Sequence, residues 1–210
     1  MASSQIEFWN VVRENDWVGL EKLLDQYPDW VDARITGSAW NPGHIYNPQS
    51  KSQVVPPDDF PFSNTALHVA SVNGRPELVR VLIEHGADVN AIGFEENKGL
   101  TPAIVLAAWE GCLDTMRQLI NGGADLNLAA SAETALYTAA EHGDAEKVKL
   151  LVEHGARHDI FTAAIVGDRE RVQKFLLASP VLREARSLKR GRTPAEEAEH
   201  HRQHEIVALF

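Results

Sequence analysis

Cysteine is nearly absent: of 210 residues only Cys112 is one. That excludes an intramolecular disulfide and any multi-cysteine metal site. Cys112 follows a glycine in an apolar context, so a buried or half-buried, inert thiol is expected. Long apolar runs are also missing. No stretch approaches the roughly 20 apolar residues a membrane-spanning helix needs. The opening MASSQIEFWNVV has neither a basic start nor a long apolar segment, which points to a cytoplasmic protein. Basic residues are outnumbered, 20 Lys and Arg against 30 Asp and Glu, for a net charge of −10. A surface so acidic has no general affinity for phosphate backbones or anionic lipid, so neither nucleic acid nor a membrane is an expected partner. Phosphate loops, dinucleotide glycine patterns, G-x-S-x-G, H-E-x-x-H and kinase signatures are missing as well, so no catalytic residue or cofactor is assigned.

What the chain has is self-similarity. TALHVASVNGRPELVRVLIEHGADVN starts at Thr65, and TALYTAAEHGDAEKVKLLVEHGA repeats its pattern from Thr134. Mid-unit glycines fall at Gly74, Gly111, Gly143 and Gly167, in steps of 37, 32 and 24. Counting nine residues on from Thr193 puts Arg202 in the same slot, and FWNVVRENDWVGLEKLLDQYP puts Asn15 there. Thr65, Thr101, Thr134 and Thr193 are expected to cap a first helix, with Pro102 and Pro194 at its first position. Small residues follow: Ala70, Ala107, Ala108, Ala139, Ala140, Ala163, Ala164 and Ala198. The glycine ends that helix with a positive φ. A second helix carries apolar residues at helical spacing, among them Val79, Leu82, Met116, Leu119, Val148, Leu151, Val172 and Leu176. One such pair cannot bury its apolar face alone, so neighbouring pairs must stack.

With TALHVA, TPAIVLAA, GADVN and GADLN, these units resemble the ankyrin repeat, whose period is about 33 residues. The resemblance covers nearly the whole chain except residues 36–63. It implies an all-α fold with short β-hairpin arms: an ankyrin-type helical solenoid of five to six helix pairs in a single domain spanning residues 1–210. It also implies a non-enzymatic, monomeric scaffold that binds a protein partner through its concave groove and hairpin tips.

Four departures from the pattern are informative. The Thr101 unit has one extra residue before its glycine, which predicts a bulge or a shifted cap. The step of 24 leaves no room for a full hairpin, so Asp159 should cap the next inner helix directly. At IVALF, Leu209 and Phe210 should tuck under the preceding unit. Residues 36–63 hold five of the ten prolines together with Trp40, Tyr46, Phe60 and Phe62, which predicts an ordered loop rather than a helix, strand or polar spacer.

The expected partner-binding residues are the inner-helix ends that face the groove, Val72, Asn73, Trp109, Glu110, Glu141 and His142. Phe94 and Glu95 on a hairpin tip, and Trp40 and Tyr46 in the loop, join them. Two alternatives stay open. The loop could enclose a small-ligand or catalytic pocket with Trp109, Glu110, His142 and Tyr46, or the acidic chain could mask a basic partner as an inhibitor does. His68, His85 and His154 are read as structural. His200 and His204 stand four apart on one expected helix face without a third ligand, so no metal is assigned. LREARSLKRGR is read as a solvated basic arm.

Overall fold

The computed structural model describes residues 3–34, 64–95, 99–129 and 133–210. The chain divides into two compact units, Met1–Ser131 and Ala132–Phe210. The first unit contains α1 (Ser3–Glu14) and α2 (Trp17–Gln26), α3 (Ala66–Val72) and α4 (Pro76–Glu84), and α5 (Ala103–Trp109) and α6 (Leu113–Asn121). Between the second and third pairs, β1 (Ile92–Glu95) and β2 (Gly99–Pro102) form an antiparallel hairpin with Phe94 opposite Leu100. The second unit contains α7 (Ala135–Glu141) and α8 (Ala145–Glu153), α9 (Ile160–Val166) and α10 (Arg169–Ala178), and α11 (Pro194–His200) and α12 (His204–Val207).

Within each unit, helices meet their immediate predecessors. The inner helices α1, α3 and α5 pack in succession, as do the outer helices α2, α4 and α6. In the second unit α9 packs between α7 and α11. This is the ankyrin-type helix-pair arrangement that the repeats predict. Its inner helices are buried almost all round, α3 at every position and α5 from Ala103 to Ala108. Only small side chains allow such helices to approach so closely. The outer helices bury one stripe each, for example Leu78, Val79, Val81 and Leu82 on α4. Each fully buried Leu or Val of this kind contributes about 1.5–3 kcal/mol relative to exposure.

In five of the six helix pairs the turn has one conformation regardless of residue. Gly74, Gly143 and Gly167 have φ of +62°, +68° and +78°, and Asn15 and Arg202 adopt +61° and +60° in the same slot. They are the two non-glycine residues with positive φ among the described residues. Gly111 departs from the expected positive φ. A Cβ there would lie 2.6 Å from the Ser71 carbonyl oxygen and 2.7 Å from Ala107 Cα, so close approach of backbone is what requires glycine.

The extra residue after Thr101 resolves as a shifted cap. Thr101 lies in β2 and bonds to the Gly99 carbonyl, while Pro102 rather than Thr101 is the N-cap of α5. Pro102 is therefore not at the first helical position. Thr65, Thr134 and Thr193 cap as expected, and Pro194 takes the first helical position. Asp159 caps α9, accepting a bond from the Thr162 N–H at 2.7 Å. Cys112 corrects its expectation: it is exposed, because it is the N-cap of α6 and its Sγ points to Thr115 Oγ1 at 3.1 Å. His200 and His204 do not share a helix, since the chain breaks between α11 and α12 at the left-handed Arg202. Phe210 and Leu209 pack on the core around Ile160 and Val172, and Arg183 donates to both of their carbonyl oxygens.

His68 is wholly buried and joins two elements. Its Nδ1 faces Thr65 Oγ1 at 2.8 Å, and its Nε2 donates to the Ala91 carbonyl at 3.1 Å. Burial, aided by the Arg34 charge, lowers its pKa from 6.5 to about 4. The fold thus stabilises the neutral ring. That contribution is complete above pH 6.5 and is lost as the pH falls toward 4.

Two expectations follow from these features. In urea unfolding, the wild type should lose about 2 kcal/mol more than His68→Gln between pH 7.5 and pH 5. Equal losses would refute the role assigned to His68. Arg202→Gly should stabilise the chain by about 0.5–1 kcal/mol, measured as a higher urea midpoint, because a left-handed non-glycine residue costs about 1–2 kcal/mol and the flexibility glycine adds to the unfolded chain offsets part of that gain.

Candidate functional site

In the first unit the inner-helix ends form a row of turns. Asn73 caps α3 at its C-terminus and donates from Nδ2 to the Val69 carbonyl at 2.8 Å. The neighbouring turn carries Trp109, half-buried as the last residue of α5, and Glu110, exposed as its C-cap. The two turns touch: Cys112 Sγ lies 3.6 Å from the Gly74 carbonyl. Val72, by contrast, is buried at 3% exposure. It belongs to the core and offers a partner no surface, because α3 is covered on every side.

The hairpin is pinned from beneath. Asn64 donates from Nδ2 to the Phe94 carbonyl at 2.7 Å and accepts from the Phe94 N–H at 3.1 Å. Arg34 donates to the Ile92 carbonyl at 2.9 Å. A Cβ on Gly93 would fall 2.2 Å from Asn64 Oδ1 and 2.6 Å from the His68 ring, so only glycine allows the strand to lie this close. Phe94 is half-buried, and Glu95 pairs with Gly99 through the backbone register. Arg34 and Asn64, which flank the 36–63 stretch, both bond to β1. Trp40 and Tyr46 themselves lie outside the described residues, and so does the pocket reading that depends on Tyr46.

In the second unit, His142 is exposed and caps α7 at its C-terminus, its Nδ1 facing the Thr138 carbonyl at 2.8 Å. His85 and His154 take the equivalent position on the outer helices, facing the carbonyls of Val81 and Leu150. The bond to Val81, with Asp25 nearby, raises the His85 pKa. Glu141 is not free for a partner. Its side chain is 11% exposed and ion-paired with Arg190.

That pairing corrects the reading of the basic arm. Its cations face carboxylates of their own unit, Lys189 with Glu133, Arg190 with Glu141, Arg186 with Glu196, and Arg192 with Glu197 at 3.4 Å, while the Arg186 side chain stays 64% exposed. Glu197 is 1% exposed and accepts a further bond from the Tyr137 hydroxyl at 3.3 Å. Burial and the Glu197 charge raise the Tyr137 pKa. These pairs join residues far apart in sequence, and no periodicity announces them. Sequence reasoning also missed the exposed Leu177 and Leu188, at 84% and 88%. Leu177 falls beside Val172 and Leu176 but off their helical stripe, which is the signal that marks it.

Among the described residues no helix is long and apolar enough to cross a membrane. Glu197→Ala would leave Arg192 and Tyr137 without their shared buried partner. It should cost about 3–5 kcal/mol in urea unfolding, and a cost below about 1 kcal/mol would show the cluster to be solvent-like.

Comparison with known proteins agrees with the repeat geometry. A family model described as ankyrin repeats in three copies matches residues 104–210, and a single ankyrin repeat matches residues 63–93. The chain is 37% identical over 100 residues to the human "Ankyrin repeat and KH domain-containing protein 1", a match covering 46% of this chain and 4% of that protein. It is 30% identical over 98 residues to the "Transient receptor potential cation channel subfamily A member 1 homolog" of Caenorhabditis elegans, covering 47% of this chain and 8% of the relative. It is 33% identical over 99 residues to the human "Ankyrin repeat and SOCS box protein 6", covering 44% and 23%. The chain therefore spans a minor part of each of these relatives.

Proposed function

The chain belongs to the ankyrin repeat family, and on that premise we propose that it is a non-enzymatic module that binds a protein partner through the first unit's inner-helix ends and hairpin. Proteins of this family are in general non-enzymatic scaffolds that mediate protein–protein interactions. The reading is carried by one arrangement: Trp109 and Glu110 at the end of a rigid, buried helix whose start is the pinned hairpin bearing Phe94. Seven helical residues lead from the hairpin's last residue, Pro102, to Trp109, roughly 10 Å at 1.5 Å per residue. A standard interface of about 800 Å² per partner covers both.

Rigidity supports the reading because binding then orders little that is not already fixed. Half-buried aromatics beside polar neighbours are the side chains that anchor such interfaces. Asn73, Trp109, Glu110, Phe94 and Glu95 form the surface, and His142 contributes as an exposed cap of its own unit. Trp40 and Tyr46 stay in the proposal because the residues flanking their stretch bond to the same hairpin. Val72 and Glu141 are left out, one buried and the other ion-paired. The net charge of −10 favours a partner with a basic face, as in an inhibitor-like role. A cytoplasmic, monomeric protein completes the reading, its single free thiol suiting a reducing compartment.

The test is affinity capture from native extract with the wild type and with a Trp109→Ala, Phe94→Ala double variant matched in far-ultraviolet circular dichroism. Retention of the partner should fall by at least about tenfold, the effect of losing one hot-spot contact. An identical captured set from both proteins would overturn the assignment.

A further inference from the structure

A second feature has no part in that surface. In the second unit a cleft of about 530 Å³ lies between α8 and the turn joining α9 to α10. Clefts of about 300–1,000 Å³ with mostly apolar walls and a few polar groups are the size and character of small-molecule sites. Its apolar walls are Val148, Val152, Ile165 and Val166, and Lys149 and the Asp168 carboxylate also line it. It lies at the one joint where the repeat is shortened: residues 154–159 alone lead from α8 to α9.

His158, on that short connection, lines the cleft and also a second recess of about 390 Å³. The second recess is bounded by Arg157, Arg171 and Lys174 with Phe175. Asp168 pairs with Arg171, and Glu170 pairs with Lys174 at 2.6 Å, at its rim. Between the two recesses, His158 Nδ1 is buried and has no hydrogen-bond partner among the described residues. A buried ring nitrogen left unpaired costs free energy that a ligand atom could recover.

We propose that the second unit binds a small amphipathic anion, its apolar tail in the cleft of Val148, Val152, Ile165 and Val166 and its acidic head between His158, Arg157 and Arg171. An apolar cleft joined through His158 to a recess that holds Arg157 and Arg171 selects this class. A neutral apolar ligand would leave the His158 nitrogen unpaired, and a cationic one would face Arg157 and Arg171. Arg171 suits a carboxylate head because its planar fork carries five N–H donors, of which Asp168 takes one Nη. The site lies within the second unit, whereas the proposed protein-binding surface is centred on the first.

The experiment uses the full chain and decanoate as probe, followed by titration calorimetry and by the imidazole resonances of His158. Decanoate should bind one to one at micromolar concentration and shift the His158 ring signals. Decyltrimethylammonium, with the same tail and the opposite charge, should bind at least tenfold more weakly. His158→Leu should weaken decanoate about tenfold, the loss of one hydrogen bond to a charged group. Ala145→Trp should abolish binding, because Ala145 is an exposed lining residue whose enlargement plugs the cleft. Ala145→Leu serves as the milder plug if the tryptophan variant does not fold. Leu188→Ser should bind decanoate as the wild type does, which separates the cleft from general stickiness of exposed apolar residues. No saturable binding, equal affinity for the cationic probe, or binding untouched by either plug would overturn the proposal.

Discussion

Every feature of this protein depends on how closely its inner helices approach one another. The alanines of α3, α5, α7 and α9 remove the side-chain bulk that normally keeps helices 8–10 Å apart, and buried positions fill nearly the whole circumference of those helices. At Gly111 the approach is so tight that one methyl group would strike a neighbouring carbonyl. Helices buried this way cannot use side chains for function along their length. Side chains that keep solvent-exposed surface stand at the helix ends, as Asn73, Trp109, Glu110 and His142 do.

The same crowding explains why so many polar groups serve structure. His68, buried without charge, ties an inner helix to the backbone beside the hairpin. Asn73, His85, His142 and His154 all turn back on a carbonyl four residues earlier, closing a helix end whose carbonyls have no partner in the helix. Asn64 replaces a strand neighbour for Phe94. In the second unit, the carboxylates of Glu133, Glu141 and Glu197 are ion-paired with cations of a single arm. A protein with a charge of −10 thus places several of its acids inside local pairs, and a Glu in the groove position is no guarantee of an available one.

Repeat proteins are usually described by their regular units, yet here irregularity supplies the distinctive chemistry. The shifted cap at Pro102 lets β2 run straight into α5, so the hairpin and Trp109 belong to one continuous segment. The shortened joint at residues 154–159 brings Asp159 directly to its helix and exposes a cleft beside His158. Both are changes in connection length between helices whose packing is otherwise conventional.

The sequence alone determined the family, the helix pairs and the turn slot. Periodicity, caps and glycine spacing are local signals, and each unit repeats them, so Asn15 and Arg202 could be assigned to a glycine slot by counting and are indeed left-handed. It also placed Asp159 at its cap and Leu209 and Phe210 on the core. Only the tertiary structure decided which of the candidate residues have free surface. Val72 is lost to the core because α3 is enclosed on all sides, Glu141 is lost to Arg190, and Cys112 is exposed because a cap residue lies outside its helix. The first two outcomes depend on contacts between residues distant in the chain, and a repeat pattern carries no record of them.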